Sequence, residues 1–416
     1  MTRLKAPRGT FDVLPEAAAR RAAVEEEAAR ILGAAGYQRI ETPAFEATEL
    51  FARGVGEATD IVRKEMYSFD DGGGRSLTLR PEGTAPICRA YVEHGMHKLA
   101  QPVRLWYLGA FFRHEAPQAG RHRQFWQVGA EAIGSEDPAL DAELILLLGD
   151  LLDALGVGGL RLRISSLGSP EARAGYRERL AAHLRSREGK LAPEVAERID
   201  QNPLRAFDSA HEGTRRVMAD APLLLDSLDA ADAEHFAAVR AILDAADLPY
   251  EVDPTLVRGL DYYARTVFEF TSDELGAQSG VGGGGRYDGL VELLGGPATP
   301  GVGWAAGVER MLLAGRETPV ATPVVDLYVV ALEAARRAEA AVMAAEARRA
   351  GLGSQLEVAG RSTKGALKHA DRIGARFVAL LGGGDGATLR DMEAGEQREL
   401  AADQVIPCAL RGALPA

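Results

Sequence analysis

A chain of 416 residues exceeds what one hydrophobic core usually holds, so two or three domains are expected, and 46% hydrophobic with 26% charged residues carries no disorder signature. A net charge of −12 excludes a uniformly basic nucleic-acid binder, and two distant cysteines, Cys88 and Cys408, with no CxxC or Cys/His cluster, argue against a disulfide framework or a structural zinc site. The opening MTRLKAPRGTFD has no apolar segment of signal-peptide length and the richest apolar run, from Leu144, is cut by Asp150, which predicts a cytoplasmic protein with no membrane partner.

In chain order, the Ala/Glu/Arg-rich stretch from Glu16 to Ala35 predicts a helix that ends near Gly33 and Gly36. Strand-like residues follow from Tyr37 to Phe45, and Pro43 among them suits an edge or interface strand. From about Leu77 to Gly134 the pattern alternates as in an antiparallel sheet, with a helix at Thr84 to Tyr91 inserted. In LTLRPEGTAP the strand ends at Arg80-Pro81, leaving Glu82, Gly83 and Thr84 at the helix start. Glu82 and Thr84 suit helix capping there, and they equally suit holding an ammonium group.

Two strands flank the loop HEAPQAGRH, whose Pro and Gly stop the ladder. In the second strand a period of two puts Phe125, Gln127, Gly129 and Glu131 on one face and Trp126, Val128 and Ala130 on the other. The second face reads as core and the first as the floor of a ligand site. Arg113, Arg121 and Arg123 cluster around this hairpin, and arginine forks bind phosphate bidentately, so a polyphosphate is expected. No GxxxxGK[ST] loop is present, which excludes a P-loop site.

Residues from about Pro170 to Leu248 are helical and charged in pattern, as expected of an insertion between strands of the main sheet. Strand pattern resumes from Leu256. There Arg258, Asp261, Tyr262 and Tyr263 interrupt an otherwise buried-looking run, and buried polar groups need partners. The glycines of GVGGGGRYDGL clear side chains so that backbone can lie against a flat ligand, with Arg286, Tyr287 and Asp288 at a turn. PGVGWAAGVERMLL predicts a short strand feeding a helix whose Val308, Met311 and Leu312 face the core and whose Arg310 does not. Its GxG lacks the βαβ context of a nicotinamide-dependent oxidoreductase. Glu317 to Pro323 reads as a linker, and from Asp326 a βαβαβ order predicts a small sheet covered by helices. That last segment holds 12 basic and 12 acidic residues, and Arg361, Lys364, Lys368, Arg372 and Arg376 gather on one of its helices and flanks.

These stretches together resemble histidyl-tRNA synthetases of the bacterial type, within class II of the aminoacyl-tRNA synthetases, over nearly the whole chain. The hairpin looks like class II motif 2, GVGWAAGVER like motif 3, GYQRIETPAFE like the motif 1 dimer element, and LVRGLDYY with GGRYDGL like the two stretches peculiar to histidine-specific enzymes. The resemblance implies an α+β fold: an antiparallel catalytic sheet flanked by helices in residues 1–169 and 251–320, a helical insertion in 170–250 and a C-terminal mixed-sheet anticodon-binding domain in 326–416. It implies a homodimer that uses ATP with Mg²⁺ to form histidyl-adenylate and then charges the 3′-terminal adenosine of tRNA(His).

By the same resemblance Glu82, Gly83, Thr84 and Gln127 would hold the histidine ammonium end, Glu131 and Tyr263 its imidazole, with Tyr262 and Tyr287 lining the pocket. Adenine would lie between Phe125 and Arg310, its phosphates against Arg113, Arg121 and Arg123. Arg258 would bridge the histidine carboxylate and the α-phosphate, with Arg113 as the second catalytic arginine, while Asp261 would orient Arg258 or a backbone turn. Ala116 stands where related enzymes often carry Arg after the HE of the hairpin loop. A rival reading is the regulatory subunit of ATP phosphoribosyltransferase, a non-catalytic relative that binds histidine. It typically lacks the C-terminal domain and the arginines that this chain retains.

Overall fold

A computed structural model describes residues 3–56, 59–115, 120–256, 258–276, 279–316 and 324–414. Ala116 and the expected linker Glu317–Pro323 lie outside them. The chain divides into two compact units, residues 1–318 and 319–416.

The first unit is built on an eight-stranded sheet. In spatial order its strands are Gln38–Arg39, Val103–Phe112, Gln124–Ile133, Gly301–Gly307, Gly280–Arg286, Ala264–Ser272, Leu160–Ser166 and Glu251–Val252. The six inner strands pair antiparallel and the two short edge strands join parallel. One face of the sheet carries Trp106, Leu108, Val128, Ala130, Phe268, Phe270 and Trp304 into a core with the helices Pro15–Ala34, Pro138–Ala154 and Ala230–Ala245. Burial of that apolar area is the main term holding these helices to the sheet. Pro15 and Pro138 each open their helix, where the missing N–H costs nothing, and Asp137 caps the second by accepting from the Ala139 N–H at 2.9 Å.

The opposite face is left to the site. It is partly covered by the helix Thr84–Glu93 and by Leu290–Leu293, through a core of Ile87, Tyr91, Tyr107, Phe111 and Tyr287. The expected strand from Tyr37 to Phe45 is not continuous. Only Gln38–Arg39 and Phe45–Ala47 are strands, and Pro43, which cannot donate to a ladder, falls in the gap between them. The intervening turn is held by Arg80, whose guanidinium donates to the carbonyls of Thr42 at 2.7 Å and Ala110 at 2.9 Å. Phe45–Ala47 instead joins a separate three-stranded sheet with Ser76–Leu79 and Tyr67–Asp70.

Residues 170–228 are helices and turns around their own core of Tyr176, Leu180, Leu184, Leu204 and Val217, which also receives Leu256, Tyr263 and Val267. The last helix of the stretch, Ala230–Ala245, packs Phe236, Val239 and Leu243 into the main core instead.

The second unit has a five-stranded mixed sheet in the order Ser354–Leu356, Leu327–Ala331, Phe377–Leu381, Gly386–Asp391, Gln397–Ala401, the first three parallel and the last two antiparallel. Helices Arg337–Arg349, Thr363–Arg372 and Val405–Arg411 cover it. Of its five gathered basic residues, Arg361 pairs with Glu357 and Arg376 with Asp391, leaving Lys364, Lys368 and Arg372 exposed.

Candidate functional site

Register across the first sheet lines up Tyr107, Gly129, Ala305, Gly283, Glu269 and Arg163, each opposite the next, so all six share the face turned from the main core. Small residues in the middle and large ones at both ends make a trough. The glycines are required by close approach: a Cβ on Gly129 would fall 2.3 Å from the Tyr107 ring, and one on Gly283 would fall 2.5 Å from the Phe268 carbonyl oxygen. Within the glycine run, Gly280, Gly282 and Gly283 border the cavities that open here, while Gly284, where a Cβ would meet the Gly303 carbonyl at 1.9 Å, serves the neighbouring strand.

Two cavities open on the trough. The larger, about 600 Å³, is bordered by Arg113, Arg121, Phe125, Arg310, Glu269 and the backbone of Gly280 and Gly282. The smaller, about 170 Å³, is bordered by Glu82, Gly83, Thr84, Tyr107, Tyr262 and Tyr263. Arg113, Gln127, Arg258 and Ala305 border both, so these residues stand where the contents of the two cavities would meet. Among the described residues, three buried polar atoms around the smaller cavity have no partner: the Tyr107 hydroxyl, Gln127 Oε1 and Arg258 Nε. Buried groups of this kind are normally satisfied, so the site is built for a polar ligand.

Each wall has a physical cause. The Glu82 carboxylate accepts from the N–H groups of Thr84 at 2.7 Å and Ala85 at 3.0 Å, capping the helix Thr84–Glu93, and Tyr262 donates to it from 3.4 Å. Burial raises the Glu82 pKa, with those N–H groups pulling the other way. Glu131 and Tyr287 do not border the open cavity. They lie directly behind it: the Thr84 and Tyr287 hydroxyls donate to the two Glu131 oxygens at 2.8 and 2.7 Å. Full burial pushes the Glu131 pKa up to about 8, against the pull of its two hydroxyl donors.

Arg258 donates to Glu269 at 2.6 Å, and Arg163 donates to the other oxygen of the same carboxylate at 2.5 Å. Glu269 therefore orients Arg258, which leaves Asp261 only the second of its two expected roles, at the backbone turn; its carboxylate lies 3.4 Å from the Asn202 amide. Arg113 donates to the Pro81 carbonyl at 2.9 Å with its guanidinium 5.4 Å from the Phe125 ring centre. Arg121 pairs with Glu115 at 3.1 Å beside the larger cavity. Arg123 is not among the residues brought to the cavity; it donates to the carbonyls of Glu115 at 3.3 Å and Arg8 at 3.4 Å.

Tyr107, Glu269 and Arg163 were missed by sequence reasoning. Tyr107 sits in an aromatic run that reads as core, and only its place opposite Gly129 marks it. Glu269 does carry a signal, a lone carboxylate alternating with Phe268 and Phe270 in a strand.

The sequence model of one family, described as histidyl-tRNA synthetase, matches residues 9–311. The chain is 49% identical over 402 residues to the histidine–tRNA ligase of Halorhodospira halophila, covering 94% of each chain. It is 48% identical over 419 residues to that of Streptomyces avermitilis, covering 98% of each. Among solved structures, apo histidyl-tRNA synthetase of S. aureus superposes with a TM-score of 0.80 at 34% identity, over 97% of this chain and 99% of that one. A Bacillus halodurans structure described as an ATP phosphoribosyltransferase regulatory subunit/histidyl-tRNA synthetase shares the fold at 22% identity and a TM-score of 0.65.

Proposed function

The chain belongs to the histidyl-tRNA synthetase family and is an ATP-using histidine–tRNA ligase, and from that premise we propose how its own residues divide the work. The smaller cavity takes L-histidine and the larger takes ATP. The observation that carries this is the junction: the polar residues shared by the two cavities are Arg113, Arg258 and Gln127, with Ala305 beside them, and Gln127 Oε1 and Arg258 Nε are buried there without a partner among the described residues.

Histidine's ammonium lies against Glu82, Thr84 and Gln127 beside Gly83. Its imidazole reaches Tyr263 and, through the Thr84 hydroxyl, the buried Glu131 that Tyr287 holds, with Tyr262 and Tyr107 as walls. A pocket of fixed hydrogen-bonding groups rejects side chains that cannot satisfy them by large factors. Adenine stacks at Phe125 and Arg310, and the phosphates meet Arg113 and Arg121. Arg123, turned to the N-terminal segment, supports the hairpin loop and reaches phosphate only if that loop moves. The histidine carboxylate attacks the α-phosphate in line, a carboxylate–phosphorus bond forms and pyrophosphate leaves. Arg258 and Arg113 neutralise the charge that builds there, in a dry site where such preorganised cations act strongly. The adenosine hydroxyl of the tRNA terminus then takes the acyl group and AMP departs.

Among the described residues no three His, Cys, Asp or Glu side chains form a metal cage. Glu115 and Glu269 border the larger cavity already ion-paired. That donor set suits a Mg²⁺ carried on the triphosphate with one or two protein carboxylates, supplying charge neutralisation. We assign the 324–416 unit to the anticodon end of the tRNA, with Lys364, Lys368 and Arg372 as its exposed cations. Pairing with a second copy through the motif 1 region is supported by the exposed Phe45 and Phe69; a solution mass of a single chain would refute it. Among the described residues no helix is long and apolar enough to cross a membrane. Calorimetric titration with L-histidine and L-histidinol tests the pocket assignment. Wild type binds both, and Gln127→Ala and Glu82→Gln, which remove ammonium contacts, weaken both by about tenfold or more; unchanged affinity in both variants refutes it.

A further inference from the structure

The residues 258–263 carry Arg258, Tyr262 and Tyr263 into the site, yet this stretch belongs to no strand or helix. Its backbone is held instead by side chains of the helical insertion. Arg173, on the helix Pro170–Arg185, donates from one nitrogen to the carbonyl oxygens of Asp261 at 2.9 Å and Tyr263 at 2.5 Å, gripping the chain on both sides of Tyr262. Arg205 donates to the Gly259 carbonyl at 3.1 Å, and the Asn202 amide to the Asp261 carboxylate at 3.4 Å. The Arg173 side chain is 14% exposed, with the Asp261 carboxylate 4.0 Å away. A buried cation spent on backbone carbonyls is costly to place there and fixes geometry well, because the planar fork sets direction as well as distance.

We propose that Arg173 is a positioning residue for the histidine pocket, through which the insertion sets the backbone that presents Arg258, Tyr262 and Tyr263. This deepens the reading above and rests on the smaller cavity taking histidine. Apart from Arg258, which borders both cavities, the ATP groove is formed mainly by the hairpin, the glycine strand and Arg310, whereas Arg173 donates to the Asp261 and Tyr263 carbonyls. Loss of the grip therefore separates the two substrates. A residue that served folding alone would lower the active fraction, and with it kcat, while leaving both KM values in place.

The test is histidine-dependent exchange of labelled pyrophosphate into ATP by full-length wild type, Arg173→Lys and Arg173→Met, with KM for each substrate and thermal unfolding of each variant. Arg173→Met is expected to raise KM for histidine about tenfold or more with KM for ATP within about twofold, and Arg173→Lys to fall between it and wild type. A folded Arg173→Met protein with unchanged KM for histidine overturns the proposal, as does an equal rise in both KM values. Should Arg173→Met fail to fold, Asn202→Ala and Arg205→Met each remove a single grip, with a rise in histidine KM of about threefold expected; no rise in either overturns it. Wild type without histidine-dependent exchange refutes the functional reading itself, and this inference with it.

Discussion

Glu131 shows how burial at one residue sets both recognition and stability. Its carboxyl titrates near 8 where an exposed one would titrate near 4.5. Between those values the folded protein keeps a proton that the unfolded chain releases, so the ligand-free protein loses stability as pH rises through that window. Glu131→Gln removes the titration: urea unfolding at pH 5 to 8.5 should show a flatter profile than wild type, by up to a few kcal/mol at the upper end. The same variant should lose about a hundredfold or more in kcat/KM for histidine, since the amide offers one acceptor oxygen where the Thr84 and Tyr287 hydroxyls had two and turns an N–H toward the other hydroxyl. A parallel pH profile with intact histidine use would contradict both statements. At this scale the sequence made the polar face of the hairpin legible through its period of two. It did not show that Glu131 stands one hydrogen bond behind the cavity wall, nor that Tyr107 leans over Gly129, because both depend on which strand lies alongside.

Elements are joined by buried charge as well as by apolar contact. Arg286, at the end of the glycine strand, is fully buried and forks onto Asp141 of the helix Pro138–Ala154 at 2.6 and 3.0 Å. His235 of the helix Ala230–Ala245 reaches the same carboxylate at 2.8 Å. The three groups tie two helices to the turn that carries Tyr287, which in turn holds Glu131. Breaking a buried pair by removing one partner strands the other, so Asp141→Asn should destabilise the protein by about 3–5 kcal/mol in chemical unfolding, and Asp141→Asn with Arg286→Met by less than the sum of the singles. Additive losses would mean the two residues act independently. Long periodic elements were legible in the sequence: the first helix, the hairpin, and the strand and helix of GVGWAAGVER all lie within a residue or two of expectation. Gly386–Asp391 and Gln397–Ala401 were not: the first alternates over only six residues after a glycine-rich turn, and the second is short, charged and mostly exposed. Pro43 was read as suiting an edge or interface strand, and it lies in the gap between Gln38–Arg39 and Phe45–Ala47.

The whole molecule divides its chemistry between units with separate cores, one centred on the eight-stranded sheet and one on the five-stranded sheet. Both cavities and every residue assigned to histidine or ATP lie in the first unit. A chain ending at residue 316 should therefore retain histidine-dependent pyrophosphate exchange within about tenfold of the full chain, while its charging of tRNA falls much further; equal loss of both would show that the adenylate site needs the second unit. The α+β class was legible from the order of patterns along the chain. That Ala230–Ala245 packs into the main core was not, since its apolar stripe says only that it must be covered, without saying by what.

The account turns on Arg258 standing between an amino-acid cavity and a nucleotide cavity, held there by Glu269. The direct measurement is exchange of labelled pyrophosphate into ATP, without tRNA, by wild type, Arg258→Ala and Glu269→Gln. Wild type should exchange only when L-histidine is present. Arg258→Ala should lose about three orders of magnitude or more in kcat with histidine still bound, and Glu269→Gln a smaller share of the same step. Exchange in Arg258→Ala at the wild-type rate, or exchange in wild type that does not need histidine, would contradict it.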